Sequence, residues 1–159
     1  MKKILISACL AGDLVKYDGK FVPLTNQLLC EWNGRGLFVK VCPEVSGGLK
    51  IPRLPAQIVN GNGLDVLEGK AKVMDIEGHD VTIAFLKGAE NALSKVKKYN
   101  IEMAILKEKS PSCGIHHIYD GKFDSTLIPG FGVTTAILKQ SGVRVFSENE
   151  LEQVKAFLY

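Results

Sequence analysis

The sequence has no long apolar run, no block of like charge and no dense set of cysteines, and each absence removes a class of protein. No stretch reaches the roughly 20 predominantly apolar residues that a membrane-spanning helix needs. The 159 residues carry a net charge of +3 from lysines scattered along the chain, so no basic stripe marks a nucleic-acid polymer as partner. Four cysteines do not make the disulfide framework of a secreted scaffold; they read as reduced thiols, and the expected location is cytoplasmic. The opening MKKILISACLAG has the outline of a lipoprotein signal, but Ile4 to Ala8 is shorter than the roughly 7 to 15 apolar residues of a signal peptide. That run reads equally well as a buried first strand.

What is present suits one domain over residues 1–159, since 46% of the chain is hydrophobic and can form a proper core. Short β-rich apolar runs alternate with helical patterns, which argues for βαβ units. The expected fold is a three-layer, Rossmann-like α/β domain with a mostly parallel sheet. Strands are predicted at Lys3 to Ser7, Leu37 to Val41, Met103 to Lys107 and Val143 to Phe146, all short and apolar enough for a sheet covered on both faces. A helix over Pro23 to Trp32 starts with proline and stripes Leu24, Leu28 and Trp32. A second, capped by Asp80, repeats Phe85, Ala89, Leu93 and Val96 and ends near Lys97 and Lys98. A third spans Gly132 to Gln140 and stops before Gly142, and a capping-box pair, Ser147 and Glu150, opens the last. Pro43 to Gly69, with SGGLKIPRLPAQIVNGNG, breaks the alternation and reads as a long Gly/Pro-rich loop over the carboxyl edge of the sheet. Long ordered loops of this kind are usually functional.

The cysteines gain meaning on this scaffold. Cys9 follows the first predicted strand, Cys42 ends the second, and Cys113 lies in the loop after the third, KEKSPSCG. In an open parallel sheet those loops leave the carboxyl edge, where ligands bind near a switch in strand order. Cys30 falls inside a helical pattern, off its apolar stripe, and reads as structural or incidental. Three converging thiols suit zinc, copper(I) or an iron–sulfur cluster. A Cys₃His zinc site takes His116 or His117 as its fourth ligand; three thiolates on a [4Fe-4S] cubane leave one iron open as a Lewis acid. Free cysteine is also among the most buried residue types, but CPE and SPSCG are polar loop settings rather than strand centres.

The stretches ACLAG, KYDGKF, VCPEVSGGLKIPRLPA, DVTIAFLKGAE, LKEKSPSCG, IYDGKF and PGFGVTTAIL, in this order, closely resemble the bacterial thiouracil desulfidase family over nearly the whole chain. The resemblance implies a [4Fe-4S] enzyme that removes sulfur from thiouracil without net redox chemistry. It implies Cys9, Cys42 and Cys113 as cluster ligands, one iron open to the substrate sulfur, and catalytic roles for Glu44 in CPE and a serine of SPSCG, Ser110 ahead of Ser112. The implied partners are a small thiolated pyrimidine and an acceptor for the sulfide. Cys30 has no place in the family pattern, and Gln57 stands where a glutamate is common.

The chemistry agrees with these residues. Sulfide leaves a thiocarbonyl carbon poorly unless a soft centre accepts its charge, and water attacking that carbon calls for a nearby base, the role open to Glu44. Ser110 and Ser112 are candidates for contact with the pyrimidine or the water, unless they only shape their turn. Arg53, in PRLP, is a candidate to bind a pyrimidine carbonyl. The string YDGKF occurs at Tyr17–Phe21 and again at Tyr119–Phe123; Asp-Gly is a tight-turn signal, so one turn device is used twice, with its tyrosines expected to pack. Two other readings compete with a desulfidase: a non-catalytic iron–sulfur sensor or carrier, and a zinc-stabilised structural domain.

Overall fold

The computed structural model describes residues 1–13, 16–19 and 25–159. Four strands form its central sheet: β1 (Ile4–Ser7), β2 (Phe38–Val41), β5 (Met103–Leu106) and β8 (Arg144–Ser147), in the order β2-β1-β5-β8. Every neighbour is parallel, with Ile4 opposite both Phe38 and Met103 and with Met103 opposite Arg144. All four coincide with the predicted strands, because β1 and β5 are buried at every position, which selects unbroken apolar runs.

Alternate residues of these strands feed two cores. Ile4, Ile6, Met103 and Ile105 face α1 (Gln27–Gly34) and α6 (Leu151–Leu158), where they meet Leu29, Trp32, Leu151 and Val154. Leu5, Ala104 and Leu106 face the other way, onto Ala92 and Val96 of α4 (Thr82–Tyr99) and Leu138 of α5 (Val133–Gln140). Helices therefore cover both faces, and the layers are those expected. Local signals start the helices. Asn26 accepts from the Leu28 and Leu29 amides at the head of α1; the expected start at Pro23 and Leu24 lies outside the described residues. Asp80 accepts from the Thr82 amide at 2.9 Å as α4 begins. The Glu150 side chain accepts from the Ser147 amide at 3.0 Å before α6.

Segment 43–69 lies against the carboxyl edge as expected but is more than a loop. It holds α2 (Pro43–Ser46), β3 (Ala56–Val59) and α3 (Gly63–Leu67). Pro43 sits at the first position of α2, and Asn62 with Asp65 forms a reciprocal capping box for α3; both elements are too short to show a period. β3 pairs antiparallel with β4 (Lys72–Asp75), and β6 (His117–Tyr119) with β7 (Leu127–Pro129). Neither the β3–β4 pair, which α3 separates along the chain, nor β7 was predicted. No helix among the described residues is long and apolar enough to cross a membrane.

Candidate active site

The strand order reverses at β1: the chain builds β2 on one side, then β5 and β8 on the other. Cys9 sits in a 3-10 turn, Ala8–Ala11, directly after β1; Cys42 caps α2 directly after β2; Cys113 lies in the loop after β5. All three line one cavity of about 470 Å³ at the carboxyl edge, together with Glu44, Arg53, Ser110 and Ser112. Every predicted site residue is brought to it. Cys30 is exposed on α1 and does not line it.

Backbone packing holds these loops. A Cβ on Gly88 would collide with the Pro43 carbonyl, and one on Gly47 with the Ala84 carbonyl, so α2 lies directly on α4 and carries Cys42 and Glu44 with it. The SPSC loop is gripped by the start of α5, where Val133 N donates to Pro111 O at 2.9 Å and Thr134 N to Ser112 O at 2.8 Å. Gly132 precedes them because a Cβ there would meet the Ser112 carbonyl. The Lys107 amide donates to Ser7 Oγ at 3.0 Å, tying the end of β1 to the chain leaving β5.

The polar groups form one chain. Arg53 donates to Glu44 Oε2 from Nε at 2.7 Å and from Nη2 at 2.6 Å. Ser112 Oγ lies 3.4 Å from Glu44 Oε1, 3.0 Å from Ser110 Oγ and 3.5 Å from Cys113 Sγ. Ser110 Oγ accepts the Ser112 and Cys113 amides at 3.1 and 3.2 Å, so it shapes the turn and faces the cavity as well. Arg53, expected on the substrate, has this edge on Glu44.

Burial pushes the Cys113 thiol up to about 12, with Cys9 and Glu44 adding to it against hydrogen bonds from Ser112 and Ser7. Burial likewise pushes Cys9 up to about 11, reinforced by Cys42 and opposed by Lys107, and raises Cys42. Covered thiols with raised pKa values become thiolates most readily on a bound cation. Among the described residues no three His, Cys, Asp or Glu side chains are grouped to hold a single ion. Thiols set around a cavity suit a cluster, in which each cysteine takes its own iron. The histidines sit elsewhere: His116 Nε2 lies 2.8 Å from Glu150 Oε1, and both His116 and His117 are exposed and outside the cavity lining.

Several contributors escaped sequence reasoning. Glu108 Oε1 accepts four amides, from Ile115 at 2.8 Å, His116 at 2.9 Å, His117 at 3.1 Å and Lys109 at 3.3 Å, and so closes the loop that carries Cys113. Lys16, Lys107 and Lys109 bring positive charge to the cavity wall. Tyr17 and Tyr119 line it too, so the expectation of merely packed rings gives way. Each YDGKF turn grips the segment between Arg53 and Gln57: Arg53 N donates to Tyr17 O at 2.7 Å, and Gln57 Oε1 accepts from Gly121 N at 2.9 Å. Lys20 and Phe21, the last two residues of the first copy, lie outside the described residues.

Residues 4–150 match the family described as 2-thiouracil desulfurase. A Bacillus subtilis (strain 168) protein described as uncharacterized protein YbbK is 44% identical over 151 residues, 95% of this chain and 99% of the relative. The solved structure of the [4Fe-4S]-dependent thiouracil desulfidase TudS superposes with a TM-score of 0.90 at 39% identity, covering 99% of this chain and 98% of that one. With the thiols, carboxylate and serines on one cavity in that shared fold, the chain belongs to the 2-thiouracil desulfurase family.

Proposed function

We propose that the chain, as one iron–sulfur domain over residues 1–159, is a [4Fe-4S]-dependent desulfidase. It removes sulfur from thiouracil or a related thiolated nucleobase without net redox change: water and a thiocarbonyl give uracil and sulfide. The observation that carries this reading is Glu44, clamped by Arg53 at 2.6 and 2.7 Å, on the same cavity wall as Cys9, Cys42 and Cys113. A sensor or carrier has no use for a carboxylate held there.

In this reading the three cysteines hold the cluster. When bound, it supplies an open, soft Lewis-acidic iron for the substrate's sulfur. Glu44 turns Oε1 to the cavity while Arg53 holds Oε2, so one carboxylate oxygen takes a proton from water as the new C–O bond forms and the C–S bond breaks. Ser112 and Ser110, linked at 3.0 Å, pass hydrogen bonds between that oxygen and the substrate. Arg53 serves the substrate chiefly by orienting Glu44. Lys107 and Lys16, which act on Cys9 through their charge, offset the negative charge of the thiolates. The sulfide then leaves to water or to a separate acceptor.

The test is anaerobic sulfide release from 2-thiouracil and 4-thiouracil by iron-reconstituted protein, beside Glu44→Gln. Release by the wild type, reduced about 10²- to 10⁴-fold in a variant with full iron content, is the expected result. No release from either compound would favour a sensor or carrier, and release unchanged in the variant would take the base's role away from Glu44.

A further inference from the structure

Strand β6 alternates as its pleat requires. Ile118 is buried in one core cluster with Ile58 and Val133, so its neighbour Tyr119 turns to the opposite face and lines the cavity. The backbone that carries this ring is held on both sides. Tyr119 pairs with Leu127 of β7, and in the turn that follows Gln57 Oε1 accepts the amides of Gly121 at 2.9 Å and Phe123 at 3.3 Å. A Cβ on Gly121 would meet the Ile58 carbonyl, so the turn lies directly on β3. Phe123 also lines the cavity, at a φ of 58°, and left-handed backbone at such a residue persists only where its surroundings hold it.

The ring so fixed has no polar task inside the protein. A tyrosine buried for packing usually finds a partner for its hydroxyl; Tyr119, half-buried, has none among the described residues. Leu54, Ala56, Ile76 and Phe123 share the lining with it as apolar side chains, whereas Glu44 and the serines supply hydrogen-bonding groups. A pyrimidine divides in the same way, into apolar ring faces and a polar edge. Tyr17, which opens the other YDGKF copy, lines the cavity too but is 44% exposed, so it stands at the mouth and Tyr119 is the inner ring.

We propose that Tyr119 is a specificity-determining residue: its ring is the platform on which the flat pyrimidine stacks, and Phe123 extends that platform. The inference rests on the desulfidase reading and names what the site selects, a planar heterocycle over a puckered one with the same polar edge. Stacking needs a π-face on the ligand as well as on the protein. Dihydrouracil carries the same carbonyl and N–H groups as uracil, but its saturated carbons pucker the ring.

Tyr119→Leu removes the π-face while keeping an apolar side chain, and Tyr119→Phe keeps the face and drops only the hydroxyl. Calorimetric titration of the reconstituted proteins with uracil and with dihydrouracil reads binding without chemistry, with iron content and Tm as controls. The wild type is expected to prefer uracil, and Tyr119→Phe to keep both that preference and a Kd close to the wild-type value. Tyr119→Leu is expected to raise the uracil Kd about five- to 150-fold, the range for one base–aromatic stack, and to erase most of the preference at unchanged iron content. Wild-type affinity in Tyr119→Leu, an equal loss for both ligands, a preference lost in Tyr119→Phe, or a wild type with no preference overturns the proposal. Thiouracil turnover by that same wild type then leaves the desulfidase reading standing. If the wild type neither discriminates nor turns over thiouracil, both fall together.

Discussion

Arg53 grips Glu44 through two nitrogens on a single carboxylate oxygen, Nε at 2.7 Å and Nη2 at 2.6 Å, with both side chains largely buried. That geometry leaves Oε1 to Ser112 Oγ at 3.4 Å, and a planar fork is what a lysine cannot reproduce. Arg53→Lys is therefore expected to lower kcat on the order of ten- to a hundredfold, the scale of a mispositioned catalytic group, with iron content unchanged. Steady-state kinetics beside iron analysis check this; a kcat at the wild-type level contradicts it.

The three cavity thiols and the fourth cysteine should separate cleanly. Cys30 is exposed on α1, whereas Cys113 is only 4% exposed and lines the cavity with Cys9 and Cys42. Cys30→Ser is expected to retain full iron after anaerobic reconstitution. Serine at position 9, 42 or 113 removes one of three thiolates and is expected to lose most of the iron, read by colorimetric iron assay.

Gly132 is required by contact rather than by backbone conformation, since its φ of −78° suits any residue. A methyl group there would meet the Ser112 carbonyl and push apart α5 and the loop it clamps. Gly132→Ala is expected to cost about 1–3 kcal/mol, the range for overpacking, and to lower Tm and iron retention together. Thermal unfolding of the metal-free and reconstituted proteins measures both.

Glu108 makes the site loop acid-sensitive. Burial works to raise its pKa, but the amides of His117, Ile115, His116 and Lys109 outweigh burial and hold it below its ordinary 4.5. A carboxyl group whose folded value lies below its unfolded one stabilises the fold fully above the unfolded value, and loses that contribution as pH falls through the folded one. In the half-buried Glu150 desolvation likewise works upward and is outweighed by hydrogen bonds from the Ser147 amide and from His116, so its pKa shifts the same way. Glu108→Gln keeps an acceptor but not the charge, so it is expected to lower stability at pH 7 and flatten the decline below pH about 4.5. Denaturant unfolding across pH measures it, and parallel pH profiles for wild type and variant would contradict it.

How much was legible followed from which forces leave a pattern. The four central strands are buried on both faces, and that demand writes itself as ILIS and MAIL. The cysteines were locatable because a parallel sheet sends β1, β2 and β5 to one edge. Strand β7 was not, because it is three residues long and ends in Pro129, too short for alternation to register. Nor was the role of Glu108, since a carboxylate that collects backbone amides from a folded loop has no spacing to betray it. Arg53 was visible as a candidate, but its partner Glu44, like the hold of Gln57 on the Gly121 turn, appears only once β3 and α2 are folded against the sheet edge.

The most direct test of the central claim is anaerobic iron and acid-labile sulfide analysis with a visible absorption spectrum, on reconstituted wild type beside Cys113→Ala. The account predicts a brown protein with about four irons per chain and loss of both colour and iron in the variant. A colourless wild type that takes up zinc but no iron would contradict it.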